Sequence, residues 1–267
     1  MEIPNITKIR IKEFLKEDKR FDNRSLRDFR NIEIETGISK NAEGSAKVKI
    51  GNTEVVVGVK VDLVEPYTDH EDEGTLITSC ELLPLSSPKF EYGPPKIDAI
   101  EIARIVDRGI RESGFIDFKK LCIKKGEKVY GVFIDLYSIN NDGNLTDAFC
   151  LAAVSALLTA KMPKYDAKTE KIKYGEFLNK PLPLTKKIPI TITFHKIGAK
   201  IITDPVIEEE ESSEARLTLA LTNDEEILIN AVQKGEAETF TEKEVGEIID
   251  MATEKFKDLE KVIKKLK

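Results

Sequence analysis

Residues able to do chemistry cluster in four places. The first is Asn141-Asp-Gly-Asn-Leu-Thr-Asp-Ala148, where a strand feeds a helix through one glycine. Such a junction is a natural anion cradle, because unpaired backbone N–H groups and the helix dipole point outward there. Its side chains, however, offer no cation, no base and no nucleophile with a partner. The second is the acidic run Glu208-Glu-Glu-Glu-Ser-Ser-Glu214. Clustered carboxylates can hold Mg²⁺ for phosphate chemistry; the alternative is a solvated loop between strands. The third is an N-terminal stretch with Arg20, Arg24, Arg27 and Arg30, four arginines in eleven residues. They could grip phosphates or a partner's carboxylates, or pair locally with Asp18, Asp22 and Asp28. The fourth is the row Arg104, Arg108 and Arg111, spaced i, i+4 and i+7 and so sharing one helix face. Such a row of guanidinium groups suits a polyanion, or it is a solvated face laced by Glu101 and Glu112.

Other chemistries have little material. With only His70 and His195, neither a histidine metal cluster nor a triad is expected. His70 lies in a polar acidic loop and reads as a surface residue, and His195 ends a strand, where it packs or caps. Cys80, Cys122 and Cys150 are scattered through apolar segments without a Cys-x-x-Cys spacing, the pattern of reduced thiols in an intracellular protein. Neither Gly-rich nucleotide-binding fingerprint is present. The net charge of −6 argues against coating nucleic acid over the whole surface but leaves room for a local basic site. No signal peptide is expected from Met-Glu-Ile-Pro-Asn at the start, and no membrane partner from the hydropathy.

The elements that position these groups follow from pattern. Lys128 to Ile139 is β-branched and aromatic, as in a buried strand. Ala148 to Ala160 is apolar nearly all round and alanine-rich, a core helix too short at 13 residues to span a membrane. Asn144 is its expected N-cap, with Asp147 in the first turn. Gly51-Asn-Thr53 between two alternating segments predicts a hairpin, and Thr75 to Leu83 a further strand. Asp98 to Gly114 predicts a helix started by Asp98 with Glu101 and stopped at Gly114; its apolar side is Ile102, Val106 and Ile110 with Ala99 and Ala103. Ile6, Ile9, Phe14 and Leu15 predict a short amphipathic helix near the N-terminus. Tyr165 to Asn179 reads as a lysine-rich connector, followed by strands at 188–194, 199–203, 215–221 and 226–230. Thr241 and Glu244 form a capping box for a long final helix striped by Val245, Ile248, Ile249, Ala252, Phe256, Leu259 and Ile263. The expected division is an N-terminal helix and arginine-rich loop (1–30), a first sub-domain (31–170) and a second (180–267).

Several separated motifs together resemble one family. Arg20-Phe-Asp-Asn-Arg24, Glu43-Gly-Ser-Ala46, Gly51-Asn-Thr53 and the helix Asp98–Ser113 are similar to the RNase PH family, which trims RNA 3′ ends by phosphorolysis. Leu83-Pro-Leu-Ser-Ser-Pro88, Gly93-Pro-Pro95, Ala103 to Ser113 and Gly143 to Ala148 look most like the non-catalytic RNase PH-like subunit of archaeal exosome rings. The resemblance implies an α/β (α+β) RNase PH-like fold, with mixed sheets packed on helices and a long C-terminal helix.

Active members carry Gly-Gly-Thr-Arg to hold phosphate; the matching run here is Gly143-Asn-Leu-Thr146, with Thr146 at the arginine position. Active members also carry Asp-x-Asp-Tyr; here Asp204-Pro-Val-Ile207 puts Val206 at the second aspartate. Phosphorolysis needs a positioned phosphate and a group that stabilises the leaving oxygen, so the resemblance implies no catalytic residue, no metal and no cofactor. It implies a cytoplasmic hetero-hexameric ring alternating with a catalytic RNase PH-like subunit, with RNA threaded through it and RNA-binding cap subunits as further candidates. It also implies that Arg104, Arg108 and Arg111 bind RNA phosphates. The rival expectation is an active phosphate- or Mg²⁺-dependent exoribonuclease using Glu208–Glu211.

Overall fold

The computed structural model describes residues 3–166 and 168–266. In chain order it contains α1 (Asn5–Lys16), β1 (Ile32–Thr36), β2 (Gly44–Ile50), β3 (Thr53–Val64), β4 (Thr75–Glu81), α2 (Ile97–Glu112), β5 (Cys122–Lys124), β6 (Lys128–Asn140) and α3 (Leu145–Thr159). Then follow β7 (Lys161–Asp166), β8 (Lys171–Pro181), β9 (Ile190–Ile197), β10 (Lys200–Thr203), the single turn α4 (Ile207–Glu210), β11 (Ala215–Asn223), β12 (Ile227–Gly235) and α5 (Glu242–Lys264).

One sheet runs β1-β2-β3-β6-β4, with β5 added to β6. Its neighbours are antiparallel except β4, which joins β6 in parallel. The second sheet runs β10-β9-β11-β12 and is antiparallel throughout. Helix α3 packs on β2 and β3 of the first sheet and on β9 of the second, while α5 packs on β9. A helix pressed between two sheets has no solvent side, which is why 145–157 is buried at every position. Each Leu, Val or Phe it buries contributes roughly 1.5–3 kcal/mol. The alanines let β2 come close: a Cβ on Gly44 would lie 2.2 Å from the Ala156 carbonyl oxygen. Side chains of both sheets and of α2, α3 and α5 share one apolar cluster. The mixed α/β architecture expected from the motifs is present, and so is the Thr241–Glu244 capping box on the long final helix.

Four local expectations change. Helix α1 turns Ile11 and Leu15 inward against Ile197 and Ile202, leaving Ile6 and Ile9 exposed; the i, i+4 pair facing the sheet decides its orientation. Helix α2 starts at Ile97 with Lys96 before it and no side-chain cap, so Asp98 serves the first-turn dipole instead. The lysine-rich stretch is no loose connector: β7 and β8 pair across a bulge, which satisfies backbone groups that an open loop would leave to water. Strand β12 continues to Gly235, five residues beyond the expected end, because its ladder with β11 extends as far as Arg216.

Candidate functional site

The junction between β6 and α3 is tightly built. Gly143 takes φ +84°, and a Cβ there would lie 2.5 Å from the Pro205 carbonyl oxygen. Thr53 fastens the turn from the hairpin side: its hydroxyl donates to the Gly143 carbonyl at 2.6 Å and accepts from the Asp142 N–H at 3.2 Å. Asn144 sits before the helix in the left-handed region, φ 59°, and makes no side-chain cap. Its amide instead donates to Asp204 Oδ1 at 2.9 Å. The expected N-cap is therefore replaced by a tie to the second half of the chain. Its backbone N–H, the donor the cradle would offer to an anion, donates to Glu210 Oε2 at 3.1 Å.

The arginine-rich loop supplies the countercharge, and neither sequence reading of it holds as stated. Arg24 does pair with Asp22, but the dominant partners lie far away in sequence. Buried Asp204 accepts from the Arg30 backbone N–H at 2.8 Å, from Arg30 Nε at 2.9 Å and Nη2 at 2.7 Å, and from Arg24 Nη1 at 2.8 Å. Burial alone would raise this carboxyl; the Arg30 guanidinium holds it below the usual carboxylate range. Arg30 also donates to the carbonyls of Asp142 at 2.7 Å and Gly143 at 3.1 Å. Arg20 is fully buried, pairs with Glu209 through two nitrogens, and donates to the Thr203 and Asp204 carbonyls at 3.0 and 2.8 Å. Three loop arginines thus clamp the 203–210 segment onto the junction, and Arg30 reaches both sides.

The acidic run divides among separate partners. Glu209 meets Arg20, Glu210 meets the Asn144 N–H, and Glu211 pairs with Lys89. Enclosure raises the Glu210 carboxyl despite that N–H and the nearby Arg216 and Arg30. Among the described residues no group of three or more His, Cys, Asp or Glu side chains is arranged to hold a metal. A helical turn at Ile207–Glu210 replaces the expected solvated loop and sends the Glu209, Glu210 and Glu211 carboxylates to separate partners.

Deeper in, Asp147 is wholly buried and accepts from the Thr193 N–H at 3.1 Å and the Thr193 hydroxyl at 2.8 Å. Burial outweighs these bonds and pushes its carboxyl up to about 7. His195 is buried with neither ring nitrogen hydrogen-bonded among the described residues. Burial, then Arg216 and Arg20, depress it to about 3, so it is neutral. Both side chains lie inside the protein, away from solvent.

The second region is open. Helix α2 buries Ile102, Ile105, Val106 and Ile110 and turns Arg104, Arg108 and Arg111 outward. With β4 and the 82–96 connection the arginines line a groove of about 940 Å³ that also takes in Phe90, Tyr92 and Pro94. Arg104 has no hydrogen bond or ion pair among the described residues. Arg108 has only Glu112, at 3.4 Å. Arg111 is engaged: it grips Asp107 through two 2.9 Å bonds and donates to the Leu76 carbonyl at 2.9 Å. The aromatic wall from the Pro/Gly connection carried no periodic signal in the sequence. Nor did the loop arginines' partners, which stand as far as 189 positions away.

Two sheets around a buried helix, with a glycine junction facing the 203–210 segment, define a class. The 3′ exoribonuclease family models match here, domain 1 over residues 28–163 and domain 2 over 187–255. The chain belongs to this RNase PH family. It is 50% identical to the exosome complex component Rrp42 of Methanosarcina mazei, over 89% of this chain and 86% of that protein. It is 49% identical to Rrp42 of Thermococcus gammatolerans, over 97% and 94%. A chain of the Archaeoglobus fulgidus exosome with RNA bound to the active site superposes with a TM-score of 0.86 at 38% identity, covering 95% of this chain and 97% of that one.

Proposed function

We propose that the chain is a non-catalytic RNase PH-like subunit of an archaeal-type exosome, working in the cytoplasm. It would alternate with a catalytic RNase PH-like subunit in a hexameric ring and bind RNA beside that partner's phosphorolytic site. One observation carries the reading: the cradle where a phosphate would sit is filled by the chain's own Glu210 and ringed by arginines already paired with Asp204 and Glu209. A site in that state has neither a free cation for phosphate nor a free acid for the leaving oxygen.

In the same chain, Arg104 and Arg108 retain donor capacity beside a groove with aromatic walls. Guanidinium forks of this kind suit RNA phosphates. Ring formation would also account for the outer strand β12, which exposes Leu228, Ile229 and Val232 at a sheet edge.

The test uses the chain alone and mixed with a catalytic RNase PH-like partner, on single-stranded RNA with phosphate and Mg²⁺. Expected are no phosphorolysis alone, activity in the complex, and weaker RNA binding with a shallower salt slope after Arg104→Glu with Arg108→Glu. Robust phosphorolysis by the lone chain, abolished when Glu208–Glu211 become Gln, would overturn the non-catalytic reading. Unchanged RNA affinity and salt slope would remove the arginine row from it.

A further inference from the structure

The β7–β8 ribbon stands apart from both regions. Of the eleven residues of β8 only Ile172 is buried. Strand β7 seats Met162 and Pro163 in the body, while β8 projects with little core of its own, as a two-stranded ribbon that is marginal alone. Tyr174 donates its hydroxyl to Asp62 at 2.8 Å, and Lys128 pairs with Glu170 at 2.7 Å.

Its charges are unevenly satisfied. The three ribbon acids are engaged, Asp166 by Lys173, Glu170 by Lys128 and Glu176 by Lys164. Lys161, Lys168, Lys171 and Lys180 have no side-chain partner among the described residues and are exposed. Register puts Lys161 and Lys180 at one end of the ribbon and Lys168 and Lys171 at its turn. Between these basic ends the irregular middle of the ribbon carries Tyr174, 68% exposed, and Phe177, 36% exposed and paired with Pro163. Lys60 lies over the Tyr174 ring, 5.8 Å from its centre.

Unpaired cations flanking exposed aromatic rings are the two components of a single-strand nucleic-acid surface: the cations meet successive phosphates, and the rings stack on bases whatever their sequence. We infer that the β7–β8 ribbon is a second, sequence-tolerant contact for single-stranded RNA, through Lys161, Lys168, Lys171 and Lys180 with Tyr174 and Phe177 as stacking platforms. It shares no residue with the groove beside α2. The choice of RNA over another polyanion rests on the RNA-handling reading above. A protein partner would be expected to supply carboxylates to these lysines, and the test distinguishes it.

The test measures binding of fluorescent single-stranded poly(A) across a salt series, for the full chain and for its complex with the catalytic partner. Four forms are compared: unchanged, Arg104→Glu/Arg108→Glu, Lys168→Glu/Lys171→Glu/Lys180→Glu, and both sets together. The ribbon set is expected to weaken binding about ten-fold in either background and to flatten the salt slope by about one unit for each lysine on a phosphate. Tyr174→Ser should weaken binding where Tyr174→Phe does not; a purely structural role through the Asp62 bond would make both weaken it, because both lose that bond. Loss with the arginine set but none with the ribbon set overturns this inference and leaves the proposed function standing. No loss with either set overturns both RNA contacts. Failure of the ribbon set to join the partner, with unchanged RNA binding by the chain alone, makes the ribbon a protein contact and also overturns it.

Discussion

The chain carries two arginine-rich regions with opposite fates. At the β6–α3 junction Arg20, Arg24 and Arg30 face Asp204 and Glu209 inside the protein and donate to carbonyls with the nitrogens left over. On α2, Arg104 and Arg108 face outward with most of their donors unengaged. Residue type and density do not distinguish the two regions. What differs is whether the countercharge comes from the chain itself: a charge satisfied internally stabilises a fold, and one left open can meet a ligand.

The sharpest way to break this comparison is to remove one charge from each region. Arg20→Ala leaves Glu209 buried and uncompensated, which costs about 3–5 kcal/mol. Arg104→Ala removes no described contact and is expected within about 0.5 kcal/mol of the unchanged protein. Chemical denaturation of both variants checks this, and equal losses would erase the distinction.

A pH series sharpens the picture of the interior. Asp147 has its folded pKa raised from 3.8 to about 7. The folded state therefore holds a proton that the unfolded state releases, and stability from this group falls as pH rises from about 4 to about 7. At roughly 1.4 kcal/mol per unit, the upper bound of the loss is about 4 kcal/mol. His195 acts oppositely: its folded pKa near 3 against 6.5 means the folded state binds fewer protons, so its contribution grows as pH rises through that interval. The two offset each other in the unchanged protein. Asp147→Asn should expose the histidine effect, giving stability that climbs between about pH 4 and 6.5. Parallel curves for the two proteins would show that Asp147 does not titrate in this window.

Gly143→Ala tests the junction's geometry with a smaller effect. A side chain there meets a left-handed backbone and the Pro205 carbonyl, so a loss of about 2 kcal/mol is expected by denaturation. The clamp, held by Arg30 on both sides, should survive as fold.

How much of this was readable beforehand follows from the range of each interaction. Helix α3 is legible because burial on all sides leaves a stretch from Ala148 that is apolar nearly all round and rich in alanine. The long final helix was legible because its stripe and capping box are local. The two substitutions implied by the family, Thr146 and Val206, marked the junction as chemically empty. What filled it was not legible. Arg30 and Asp204 are 174 positions apart, and nothing in a local window says that one arginine-rich loop closes on the protein while another arginine row faces out. The ribbon's lysines mask the alternation that strands show when one face is buried, so its pairing has no local signature.

Within the open row the three arginines should not be equal, and this is the finest form of the comparison. Arg111 is half-way between the regions: its guanidinium is outside, yet three of its hydrogen bonds are made to Asp107 and Leu76, and the Asp107 carboxylate raises its pKa. To meet a phosphate it must give up part of that grip or use the donors left over. Arg104 has no such competitor, and Arg108 has only the 3.4 Å contact to Glu112, an exposed pair of small worth. Single substitutions to alanine in the assembled complex should therefore lower RNA affinity in the order Arg104, Arg108, Arg111. The Arg111 effect should fall below about three-fold, while its loss of stability by denaturation should be the largest of the three, about 1 kcal/mol. If Arg111→Ala instead weakens RNA binding most, its bond to Asp107 orients it for the phosphate rather than competing for it, and internal satisfaction would not separate the two regions.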